Sequence, residues 1–111
     1  MPFYQSSPLS TVSTARTRTH ELQLWAPCFA AVAAGTKPFD VRENEADFQV
    51  GDALLLREYD PDTGSYSGQT LLRYVSYVLP GGAFGVRDGW CVLGLGNIQP
   101  LPPGITDTRL W

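Results

Sequence analysis

Positive charge is scarce in this sequence. It has 8 Lys and Arg against 11 Asp and Glu, a net charge of −3. That balance excludes a broadly basic face able to grip many phosphates regardless of sequence. It leaves room for a small site holding one nucleotide. Histidine is scarcer still, with His20 alone. The two cysteines, Cys28 and Cys91, form no Cys-x-x-Cys pair. One histidine is too few to complete a zinc centre with them, so no metal and no cofactor are expected. Both thiols sit among apolar neighbours, which suits packed, reduced side chains, although spacing alone leaves a bridge open. Long apolar runs are missing too. None approaches the roughly 18 residues of a membrane span, and the N-terminus has no apolar secretion-signal core. A cytoplasmic protein is expected. With 43% hydrophobic and 17% charged residues in a chain of 111, the remainder reads as one globular domain.

Residues 1–18 are rich in Ser and Thr and show no period of 2 or 3.6, so they read as a mobile tail. Thr19–Trp25 alternates, with His20, Leu22 and Leu24 on one face, and predicts a strand. Pro27 suits a first helical turn, and Phe29, Val32 and Ala33 form a short apolar stripe. A helix of barely two turns would not persist alone and must be held against a sheet. After a polar stretch, Phe48 and Val50 re-anchor the chain and Gly51-Asp52 signals a tight turn. Ala53–Tyr59 predicts a strand, Asp60–Gly64 a hairpin turn, Leu71–Leu79 and Trp90–Leu95 two more strands. Glycines 81, 82, 85 and 89 punctuate a loop around Phe84. Residues 99–111, with three prolines, read as an extended tail, leaving 19–98 as the domain. The fold class is α+β, mainly β: a small mixed β-barrel capped by a short helix.

The stretch that organises the rest is Gly35–Arg42. Gly35 ends the helix and Pro38 forbids its continuation. On a strand, Phe39 and Val41 then share one face, Asp40 and Arg42 the other. Lys37 stands at the strand's start, within reach of Asp40. The plain alternative is an ordinary strand with an acid–base pair on its wet side, contributing about 0–1 kcal/mol.

The series His20-x-Leu22, Gly35-x-Lys37-x-Phe39-Asp40-x-Arg42, Asn44, Phe48-x-Val50-Gly51-Asp52 and Leu54-x-Leu56-x-Glu58 resembles the DUF3850 family, from about His20 to Leu95. That family is similar to ASCH domains within the PUA-like group. The resemblance implies a PUA-like (ASCH-like) barrel whose cleft, beside the helix–strand junction, binds RNA or a modified nucleoside. One related branch hydrolyses the acyl amide of N4-acetylcytidine with a Lys, a Thr three residues later and a Glu from a longer insertion. Lys37 falls on the Lys position. Asp40 falls on the Thr position, which removes the hydroxyl nucleophile, and no residue is assigned to the Glu role, with Asp88 and Glu58 as the acids that could lie near it.

The expected function is therefore an RNA- or nucleotide-binding module. His20, Lys37, Asp40, Arg42 and Phe84 are the candidate ligand-binding residues. Lys37 and Arg42 suit a phosphate, Asp40 a base amino group. His20 suits a base contact or a proton shuttle, against a hydrogen-bonded core histidine. Phe84, on its glycine loop, suits stacking. Two alternatives stand beside this reading. One is a small amidohydrolase on modified nucleosides, with Lys37 and Asp40 as catalytic candidates and Asp40 as base for water. The other is a non-catalytic protein-interaction domain.

Overall fold

The computed structural model describes residues 18–100. The stretches 1–17 and 101–111, which hold most of both expected tails, lie outside the described residues. The elements run β1 (Thr19–Trp25), α1 (Ala26–Ala33), β2 (Phe39–Glu43), β3 (Ala53–Asp60), β4 (Ser65–Pro80) and β5 (Trp90–Gly96). They build one five-stranded sheet in the order β1-β3-β4-β5-β2. Only β1 and β3 run parallel; the other three pairings are antiparallel. The sheet curls into a half-barrel with α1 as its cap. Register shifts at Arg57/Tyr59 and Val75/Tyr77 mark bulges, which add local twist and help the sheet to curl.

The strands follow from period-2 patterning. Leu24, Leu54, Leu56, Val75 and Leu93 point inward and are buried, joined by Phe48 and Cys91. Helix α1 closes the open side of this core with Phe29 and Val32, both buried. Pro27 sits in its first turn, where a missing N–H costs nothing. Its end is a Schellman cap. Gly35 adopts φ 81°, Thr36 N–H donates to the Ala31 carbonyl (3.0 Å) and Gly35 N–H to that of Val32 (3.0 Å). Eight residues of helix are thus held by packing and by a well-made end.

Two local expectations are corrected. The strand expected at Leu71–Leu79 begins at Ser65. Its first six residues, through Thr70, are all exposed and pair with β3 alone. And β2 is inverted relative to a surface strand. Asp40 is 4% exposed, whereas Phe39 and Val41 are 42% and 50% exposed. The register explains it. Asp40 lies opposite Leu93 and Arg42 opposite Cys91, both core positions of β5, so the acid and guanidinium share the inner face. The chain is already fastened at Arg18, whose carbonyl accepts from Ala53 N–H (2.8 Å). It is still fastened at Gln99, whose Nε2 donates to the Gly51 carbonyl (3.0 Å). Each lies one residue outside the domain limits expected from sequence. Cys28 and Cys91 are both free thiols.

The loop from Gly81 to Gly89 hands the chain from β4 to β5. A Cβ on Gly81 would collide with the backbone carbonyl oxygens of Arg87 and Trp90. Backbone cannot swing aside as a side-chain tip can. Gly81→Ala is therefore expected to destabilise the fold by about 1–3 kcal/mol, read from the urea midpoint. A wild-type midpoint would show that the loop gives way freely.

Candidate functional site

Strands β1 and β2 are the two ends of the sheet order, so each leaves one edge without a strand partner among the described residues. The hollow between them, the seam, has a volume of about 770 Å³. One wall carries His20, Glu21, Leu22 and Trp25 of β1; the other carries Val41, Arg42 and Glu43 of β2. Glu45, Ala46 and Phe48 from the β2–β3 connection and Trp90 of β5 complete it.

Arg42 ties the walls together. Its Nε donates to Asp40 Oδ2 at 2.7 Å, and its Nη2 donates across to the Gln23 carbonyl of β1 at 3.1 Å. The buried Asp40 carboxylate thus orients the guanidinium, and a single side chain spans the opening. Behind it, burial pushes the Cys91 thiol up from its usual range; the positive charge of Arg42 opposes this and the negative charge of Asp40 adds to it. Cys91 is therefore a packed thiol and not a nucleophile.

His20 is held from the other side by Asp52, which is 3% exposed. Asp52 Oδ2 accepts from His20 Nε2 (2.8 Å), Gln49 N–H (3.0 Å) and Arg18 Nη2 (3.2 Å). Arg18 also donates to the Asp47 carbonyl. Burial alone would raise the Asp52 carboxyl. The hydrogen bond from His20, backbone bonds at Gln49 and Arg18, and the Arg18 charge outweigh it, so Asp52 titrates below its ordinary value. An ionised carboxylate only accepts, so Nε2 carries the proton. Nδ1 has no hydrogen-bond partner among the described residues, and in the neutral tautomer it is an acceptor. Phe48 braces the ring, its centroid 4.7 Å away.

Of the residues singled out from sequence, His20 and Arg42 meet at the seam, with Asp40 directly behind Arg42. Lys37 does not join them. No ion pair links it to Asp40; its Nζ instead stands 5.6 Å from the Phe39 ring centroid. Phe39 and Asp40 leave opposite faces of β2, so an amine lying over the first is drawn away from the second. Lys37 lines a separate hollow at the end of α1. Phe84 is 86% exposed, at φ 54°, and is not part of the seam. Sequence reasoning missed Asp52, Trp25 and Trp90. The first is hidden in a Gly-Asp pair that reads as turn chemistry, although the turn is real: Asp52 N–H donates to the Gln49 carbonyl (3.0 Å). The two indoles were legible only as strand aromatics.

No curated protein matched the chain. A family described as "Domain of unknown function (DUF3850)" matches residues 19–95, well over half of the sequence. The match begins with the first residue of β1 and ends within β5, so it contains both walls of the seam and the Asp40–Arg42 and Asp52–His20 pairs. The chain belongs to the DUF3850 family.

Proposed function

We propose that the protein is an ASCH-like module that binds RNA or a nucleotide-like ligand, and that the ligand's base enters the seam. One observation carries this reading: a hollow of about 770 Å³ whose lining combines aromatic rings with hydrogen-bonding groups. Trp25 and Trp90 offer indole faces for stacking, and the exposed half of Trp25 is available for it. Arg42 and His20 bring donors and an acceptor from opposite walls. Glu21, Glu43 and Glu45 can accept from exocyclic amino groups, as carboxylates do from cytosine.

Charge narrows the choice. Three carboxylates line the seam, and its one guanidinium is already matched to Asp40. Such a lining repels a run of phosphates and favours a base or nucleoside. A hydrolytic role would need Lys37 and Asp40 at one reacting atom. Lys37 lines a different hollow and Asp40 is taken up by Arg42. Binding is accordingly the reading put forward, with a soluble, membrane-independent role in the cytoplasm.

Titration with cytidine should quench tryptophan fluorescence. Trp25→Ala removes an exposed ring and should leave the fold intact while weakening cytidine binding about tenfold, within the 1–3 kcal/mol of a base–aromatic stack. If neither nucleosides nor short RNA perturb the wild-type protein, the proposal fails.

A further inference from the structure

Six Lys and Arg side chains lie among the described residues. Arg18, Arg42 and Arg57 are matched to Asp52, Asp40 and Glu21. Lys37, Arg73 and Arg87 form no ion pair there. Two of these three, Lys37 and Arg73, open on one hollow of about 530 Å³ at the C-terminal end of α1. It is lined further by the helix end Val32–Gly35, Pro38 and Leu95–Asn97, and no carboxylate among the described residues lines it.

Both cations are half-buried, and Arg73 is on the inner face of β4, between Leu71 and the fully buried Val75. Half-burying a cation without a counter-charge is unfavourable. The helix end favours cations but supplies only partial charge, and several of its carbonyls are engaged. The helix-end carbonyls of Ala30, Ala31 and Val32 already accept from N–H groups of residues 34–37, and the Pro38 carbonyl accepts from Leu95 N–H. Arg73 Nη1 reaches only the Leu72 carbonyl (2.9 Å), leaving the rest of its fork unengaged among the described residues. Among the described residues Lys37 Nζ has only the Phe39 ring. Asn97 adds an amide to the lining.

We infer that this hollow is an oxyanion site, in which Arg73 and Lys37 bind the phosphate group of a phosphate ester or of an RNA strand. A planar guanidinium matches two phosphate oxygens, and an ammonium adds a point charge beside it. The site is chemically the opposite of the seam, which has three carboxylates, and it stands whether or not the seam takes a base. A protein of net charge −3 thereby gains one local place for a phosphate without a basic face.

The test is an amide NMR titration with inorganic phosphate. Shifts should concentrate at residues 35–37, 73 and 95–97. Lys37→Gln, on a half-exposed side chain, and Arg73→Gln should each weaken phosphate about tenfold, the size expected for a charged hydrogen bond. Arg73→Lys should restore much of the affinity, which a merely structural arginine would not do. Arg87→Gln, whose side chain lines an apolar hollow instead, should leave affinity unchanged. Cytidine, lacking phosphate, reports on the seam alone, so the two readings fail separately. For a short single-stranded RNA, Lys37→Gln should reduce the salt slope by about 0.7 if the phosphate comes from the strand. An unchanged slope alongside weakened inorganic phosphate assigns the site to a small phosphate ester. Phosphate shifts elsewhere, or equal losses in Arg87→Gln, would overturn the inference.

Discussion

Arg42→Met should destabilise the protein by about 3 kcal/mol, at the lower end of the cost of breaking a buried ion pair. The lower end applies because Arg42 keeps some contact with water, with a side chain 23% exposed. Asp40 has far less, with a side chain 6% exposed. Without the guanidinium, its carboxylate faces Leu93 across the ladder and must stay charged unpaired or take up a proton. The Gln23 carbonyl also loses its donor from β2. The pair can be told from its parts. Asp40→Asn keeps an acceptor for Arg42 Nε and should cost about 1 kcal/mol. The double change Asp40→Leu with Arg42→Met removes both charges and should recover most of the loss, since a packed apolar pair often matches a buried ionic one. With the Asp40→Leu single variant added, urea unfolding of wild type, the two matching singles and the double gives the coupling. A single Arg42→Met variant within experimental error of wild type would mean that Asp40 finds water.

The second large effect belongs to Asp52. Asp52→Asn should cost about 2–3 kcal/mol, because one carboxylate oxygen serves three donors at once. An amide can keep one oxygen facing these donors, but that oxygen is neutral, so the charge-assisted part of each bond is lost, and its NH2 replaces the second carboxylate oxygen. This loss should depend on pH in a defined direction. The folded-state pKa of Asp52 is lowered from its model-compound value of 3.8. The native state therefore holds the carboxylate ionised where the unfolded chain has begun to bind a proton. Its contribution is fully present above the unfolded value and disappears as pH falls through the folded one. The gap between wild type and Asp52→Asn should accordingly narrow below about pH 4. A gap that widens on acidification would contradict the lowered pKa. Nucleoside binding should weaken in the same variant, since His20 loses the partner that fixes its tautomer.

How far the sequence reveals these features depends on whether a residue's neighbours are local. Strands β1, β3 and β5 are legible because alternation needs only the strand itself, with one face on the core. The hairpin turn at Asp60–Gly64 and the glycine end of α1 are legible for the same reason: their hydrogen bonds close within a few residues. The start of β4 is not. Both faces of Ser65–Thr70 are wet, so no apolar period marks them, and only the ladder with β3 makes them a strand. The inversion of β2 is hidden for a further reason. The alternation of Phe39-Asp40-Val41-Arg42 is plain, but which face turns inward is set by the register with β5, some fifty residues away. In the candidate site, His20, Asp40 and Arg42 were legible as chemistry-bearing residues, and Asp40–Arg42 as a pair. The partition between two hollows was not, because it depends on Lys37 lying over Phe39 and on Arg73, a residue that stands alone in a hydrophobic stretch.

The strand order also sets a timetable for synthesis. Everything β1 needs as a neighbour has been translated by Asp60, and the β3–β4 hairpin can form as its second arm emerges. β2 must wait for Trp90–Gly96, because β5 is its ladder partner among the described residues. Until then a nascent chain carries Phe39 and Val41 on an unpaired segment, beside an acid and a guanidinium with no interior to enter. A chain ending before Trp90 would thus hold the strand partners of one side of the cleft and lack those of the other.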